Sequence, residues 1–328
     1  EEVSSLRRLV TEFSGFARLP RASLAPGDLA KVLADERAYF GALATDADAT
    51  PDEESALLSY ARALDLGNRG PEMLAAAERA LAAHPASGGV VAEAAEATWH
   101  GGRGLDAALA LARGRRDGVR AEDRWLVDLE TARLAWLGGD AALALAAADS
   151  ALARQSDSPG GLQARAEALG LARRWDDAFP AYDRAVRMRT GIVDLRCDYA
   201  LDLIRAGRLD QAARQLDEAK LLDERDATAE ALRGLLALRR GDTDAALGHA
   251  RQALAWGEWS DLARIVLGAA QRAGGHEAEA QAAWAPVRER IARNAPLEWF
   301  YREDVATWVP THQLPAVERS VLQELESR

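Results

Sequence analysis

Few residues in this chain are of types that do chemistry, and their spacing limits what they can do. The five histidines are His84, His100, His249, His276 and His312, and most fall at turns or near helix ends. None forms an H-E-x-x-H arrangement or a close carboxylate–histidine pair, so no metal site is expected. Cys197 is the only cysteine, which excludes an internal disulfide. As a nucleophile it would need a base beside it, and no histidine is near in sequence. Asp194, Asp198 and Asp202 step by four residues along one helix. Paired carboxylates can move protons, but an acidic stripe reads better as a solvated or partner-facing surface. Gly102-Arg103-Gly104 lacks the following glycine, lysine and Ser/Thr of a phosphate loop, and no strand precedes it. We therefore expect no catalytic residues and no cofactor.

The elements that position these side chains are repetitive. Short turns, many with glycine, recur before amphipathic helices, as in GRGLDAAL, GGDAALAL, AGRLDQAA and RGDTDAAL. The first residues of these second helices are Gly70, Leu105, Ala141, Trp175, Leu209, Thr243 and Glu277, giving intervals of 35, 36, 34, 34, 34 and 34. Three residues after each start stand Met73, Ala108, Ala144, Ala178, Ala212, Ala246 and Ala280. Nine residues before it stand Ala61, Glu96, Ala132, Ala166, Ala200, Gly234 and Gly268. Small residues in fixed columns let antiparallel helices approach closely, with larger ones such as Leu169, Tyr182, Leu216 and Trp284 filling between. Glu96 and Arg115 interrupt two columns of the second repeat.

This period and these columns resemble the tetratricopeptide-repeat family over residues 54–293. The resemblance implies an all-α, right-handed superhelical solenoid of about seven antiparallel helix pairs. It also implies that first helices line a concave groove. Carried over by position, a partner-binding groove would present Arg62, Asp65, Glu93, Leu129, Arg133, Trp136, Gln163, Glu167, Asp194, Asp198, Leu201 and Arg205. The later repeats would add Leu235, Arg239, Ile265, Ala269 and Arg272. The Lys/Asn clamp that co-chaperone members use for a terminal carboxylate is absent at Leu58/Arg62, Glu93/Ala97 and Leu129/Arg133. Repeats one to four offer a mixed, charged floor with Trp136 as an aromatic anchor. Repeats five to seven offer a mostly apolar one. An apolar floor should be covered, by a partner's amphipathic helix or by the chain's own C-terminal segment. The neighbouring Trp299, Phe300 and Trp308 favour the latter.

Two flanks complete the expected domains: 1–53, an N-terminal helical cap, and 294–328, aromatic-rich C-terminal capping helices. Terminal repeats of a solenoid need such shielding. LRRLVTEFSGFARLP followed by LAPGDLAKVL, over residues 6–33, is similar to the dimerisation helix and linker of nitrogen-regulatory-type sensor histidine kinases. That similarity implies a signalling context and a homodimer. No phosphoacceptor histidine precedes it and no ATP-binding glycine boxes follow.

A net charge of −11 opposes binding to nucleic acid or anionic lipid. No apolar run is long enough for a membrane span. One cysteine suits a cytoplasmic location and is also compatible with the periplasm, and the arginine-rich, lysine-poor composition suggests a bacterial source. A chain opening on Glu1 is expected to continue upstream. The expected function is a non-catalytic scaffold holding a protein or peptide in the groove, in signalling or complex assembly. The alternative is a peptide- or small-effector-sensing domain of a larger signalling protein.

Overall fold

The computed structural model of the chain describes residues 70–189, 191–257, 260–293, 299–302, 307–310 and 315–326. Arg62, Asp65 and the kinase-like segment of residues 6–33 lie outside the described residues.

Helix α1 (Gly70–Ala83) is the second helix of repeat one. The following pairs are α2 (Gly88–Thr98) with α3 (Leu105–Arg115), α4 (Arg124–Gly138) with α5 (Ala141–Arg154), and α6 (Pro159–Leu171) with α7 (Trp175–Met188). Repeats five to seven pair α8 (Val193–Arg205) with α9 (Leu209–Leu222), α10 (Ala227–Arg240) with α11 (Thr243–Trp256), and α12 (Asp261–Ala273) with α13 (Glu277–Arg293). All seven second helices begin at the residue the repeat predicts.

Side-chain caps fix six helix starts, two of them, α5 and α11, among the second helices. Ser87, Asp140, Ser158, Asp226, Asp242 and Ser260 each accept a hydrogen bond from the backbone N–H three residues on, capping the helix that follows. Before two of these caps, Gly139 and Gly241 adopt left-handed φ of 87° and 81°, a conformation that costs glycine nothing. Repeat two departs from the pattern: its first helix widens into a π-turn, Trp99–Arg103, around Gly102.

The small-residue columns are the core. Ala108, Ala144, Ala178, Ala212, Ala246 and Ala280 are fully buried, as are Ala166 and Ala200. Where the second helix carries its largest side chain, the facing first helix has glycine. A Cβ on Gly268 would lie 2.4 Å from Trp284 Nε1. Each first helix touches the next first helix, and no comparable contact joins successive second helices among the described residues. First helices therefore form the inner, concave face.

The C-terminal flank differs from the expected capping helices. Trp299–Arg302 and Thr307–Pro310 form a two-stranded antiparallel hairpin, β1–β2, with Tyr301 opposite Trp308. WFYR and TWVP are rich in aromatic residues, which suit an extended, pleated backbone better than a helix. A final helix, α14 (Pro315–Glu326), follows.

Candidate functional site

The concave face has two parts, built by the same columns from different side chains. In repeats two to five the floor is polar. Arg133 bridges Glu96 at 3.0 Å and Glu130 at 2.7 Å, and its guanidinium lies 5.7 Å over the Trp99 ring. One repeat on, Gln163 donates to Glu167 at 2.7 Å and reaches Asp198 at 3.5 Å. Asp202, one helical turn further, accepts from the Tyr182 hydroxyl at 3.0 Å.

These carboxyls are recessed between neighbouring helices, and burial raises their affinity for protons. Glu130 is pushed up to about 7 by desolvation, against the opposing pull of Arg133. Asp202 is also pushed up to about 7 by burial, opposed by Arg205 and the Tyr182 hydrogen bond. Glu167 and Asp198 are both raised by burial, and Asp198 is held well above the usual carboxylate range with Glu167 as its close neighbour. The acidic stripe of α8 thus has three environments: Asp194 exposed, Asp198 sharing a recess with Glu167, and Asp202 turned into the core.

In repeats four to seven the floor is covered. Helix α14 lies across the groove and meets α4 at one side and α12 at the other, both first helices. Val321, Leu322 and Leu325 are buried in the same apolar cluster as Leu201, Leu235, Ile265 and Ala269. Glu324 is held by arginines from three repeats: Arg239 at 3.0 Å, Arg205 at 3.7 Å, and Arg173. Arg205 also donates to Ser320 at 3.1 Å, and Arg272 donates to the Glu326 carbonyl at 2.9 Å.

The described groove residues therefore divide. Arg133, Trp136, Gln163, Asp194 and Asp198 keep exposed surface on the inner face, and Leu129 packs partly against the alanines of repeats three and four. Glu167 is recessed among them. Leu201 and Arg205, two of the expected partner-binding residues, lie beneath α14 in the repeats whose apolar floor was expected to be covered; the Arg205 side chain is 3% exposed. Glu93 is likewise buried, because α2 turns it toward its neighbours. Sequence reasoning missed Glu130, Arg173 and Glu324. Arg173 had a signal, since it occupies the column that holds glycine at Gly139, Gly207, Gly241 and Gly275.

Cys197 is buried, and its thiol is pushed up by desolvation and by Asp226, the reverse of what a nucleophile needs. Among the described residues no three His, Cys, Asp or Glu side chains converge as metal ligands would. No described helix is long and apolar enough to cross a membrane.

No protein-family model and no curated protein matches the chain. Among solved structures it is similar to the APC/C hetero-tetramer Cut9-Hcn1, at 18% identity and a TM-score of 0.58, over 75% of this chain and 49% of that one. The chain thus spans about half the length of that relative. It is also similar to a tetratricopeptide repeat protein from Parabacteroides merdae, at 14% identity and a TM-score of 0.57, over 81% of this chain and 98% of that one. The fold is a tetratricopeptide-repeat superhelix, built of stacked antiparallel helix pairs.

Proposed function

We propose that this chain is a non-catalytic scaffold whose polar groove, in repeats two to five, holds an extended segment of a partner protein. The observation that carries this reading is the floor itself. Arg133, Gln163, Asp194 and Asp198 stand on successive first helices and keep exposed surface, while among the described residues the later part of the groove is covered by α14. Asp194 is the exposed acid on this floor, while burial keeps Asp198 in its protonated form, so the complementary segment presents a basic side chain to Asp194 and hydrogen-bond acceptors to Asp198 and Gln163. Repetition suits such a ligand, because each repeat adds one contact to an extended chain. A role in signalling or complex assembly follows from what is held.

A photo-crosslinker at Asp194 should capture the partner. Arg133→Glu combined with Asp194→Arg should then weaken its binding at least tenfold with the fold intact by circular dichroism. Capture that is indifferent to both substitutions would place the partner elsewhere. The alternative, a sensing domain, gains support from one feature only: a helix that already occupies the other half of the groove.

A further inference from the structure

We propose that the groove of repeats four to seven is a receptor for an amphipathic helix carrying a glutamate among aliphatic residues. Helix α14 is its tethered placeholder, which a partner helix of the same pattern displaces.

The first support is the way α14 is seated. A terminal cap would extend the array by packing on α13 as the first helix of an eighth repeat. Helix α14 instead crosses the concave face and touches first helices from repeat three to repeat seven, as a ligand would. Its sequence Val321-Leu322-Gln323-Glu324-Leu325 divides by chemistry. Val321, Leu322 and Leu325 are 1%, 4% and 8% exposed against the apolar floor, and Glu324 points at the arginines.

The second support lies in the walls. Arg205 and Arg239 hold the same register one 34-residue repeat apart, so the superhelix aims both at one point. Arg173 completes the set at a cost in backbone geometry. Its φ is 57°, in a turn column where the other repeats from three to seven place glycine at 79–87°. Glycine would satisfy the turn without strain, whereas only a cationic side chain reaches Glu324. Strain held at one position of a regular array marks a position kept for what its side chain does. In a chain of net charge −11, this arginine ladder is matched to a carboxylate on the incoming helix.

The third support is that the hold is of a size a competitor can match. Three aliphatic side chains are buried, and the exposed Arg173 and Arg288 guanidiniums make pairs that screening weakens, which leaves the shielded Arg205 and Arg239 pairs to Glu324 as the polar hold a competitor's carboxylate must reproduce.

The test uses a fluorescent peptide of residues 315–328, PAVERSVLQELESR, titrated into the full chain by anisotropy. The tethered helix competes at high effective concentration, so the intact chain should bind the peptide weakly. A full chain carrying Leu322→Asp and Leu325→Asp in its own α14 should bind it at least tenfold tighter. A peptide with Glu324→Arg should lose that binding, and so should Arg239→Glu in the receiving chain. Equal affinity of the intact and double-substituted chains, or undiminished binding of the Glu324→Arg peptide, overturns the proposal. Should the double variant fail to fold, hydrogen exchange on the intact chain decides. Amides of α14 should exchange at least tenfold faster than those of α8 and α10, and equal protection would make α14 a permanent structural helix. A concentration-dependent dimer that disappears in the double variant would instead assign the groove to helix exchange between two copies. Arg133→Glu with Asp194→Arg should leave peptide binding unchanged, which separates this site from the polar half of the groove.

Discussion

At the scale of single residues, the recessed carboxylates make stability depend on pH in an unusual direction. Most native carboxylates titrate below their unfolded values, so proteins lose stability in acid. Here burial holds Glu130 and Asp202 near 7 and raises Glu167 and Asp198 as well, while the unfolded groups titrate near about 4. The native state binds more protons across that interval. This contribution is fully present below about 4 and is lost as pH rises through the folded values near 7. Thermal melts should therefore show a higher Tm at pH 5 than at pH 8. Asp198→Asn keeps a donor for Glu167 without the second charge, so it should flatten the slope and raise Tm at pH 8 by roughly 1–2 °C, the effect of about 1 kcal/mol in a chain of this size. A slope as steep in the variant would show that the recess does not control the titration. Arg173→Gly separates two further effects. Releasing the left-handed strain should stabilise the repeats by about 1 kcal/mol, while exchange in α14 accelerates because Glu324 loses a cation. A single uniform change in protection would refute that division.

At the scale of helices, packing is a matter of paired sizes across columns. Gly268 faces Trp284, whose indole N–H donates to the Ile265 carbonyl at 3.0 Å, so the ring cannot retreat without giving up that bond. Gly268→Ala should cost about 1–3 kcal/mol through overpacking. Adding Trp284→Phe, which removes the crowding atoms, should recover part of the loss in urea melts. Additive losses would mean the two positions do not share the space. This complementarity is why the array was legible in sequence: small residues recur in most repeats of each column and side-chain caps at six of the turns, and these local signals agree with one another. The distribution of polar groups was less legible. Asp194, Asp198 and Asp202 have the same spacing and residue type, and only the neighbouring helix decides that one is solvated, one shares a recess and one meets Tyr182. The destination of α14 was readable only as a need for cover. The Arg205–Ser320 contact joins residues 115 positions apart, and nothing periodic in the sequence records it.

At the scale of the whole molecule, the repeats carry two cores. One apolar cluster runs from Met73 to Leu137, and a larger one runs from Leu162 through Trp284 to Leu325 on α14. Between them, the buried members of the connecting clusters are all alanine: Ala132, Ala147, Ala148 and Ala164 in one, Ala135, Ala144 and Ala168 in the other. Stability in a solenoid is approximately a sum of repeat terms and nearest-neighbour interfaces. An interface whose fully buried members are methyl groups buries little apolar area per residue, so the two cores are coupled there by side chains at its margin, Leu129, Leu145 and Leu152 among them. Two features reinforce it. Trp136 packs against both large clusters, and α14 reaches α4 from α12. Removing the first should uncouple the halves. Trp136→Ala, at a half-buried site, should cost about 2 kcal/mol, below the range for a fully buried ring, and should split urea unfolding into two steps. Amides of α2 to α4 should lose protection first, while those from α8 to α12 stay unchanged until the second step. A single transition, with protection falling equally on both sides of the α5–α6 junction, would show that the alanine interface and its marginal leucines couple the two cores without Trp136.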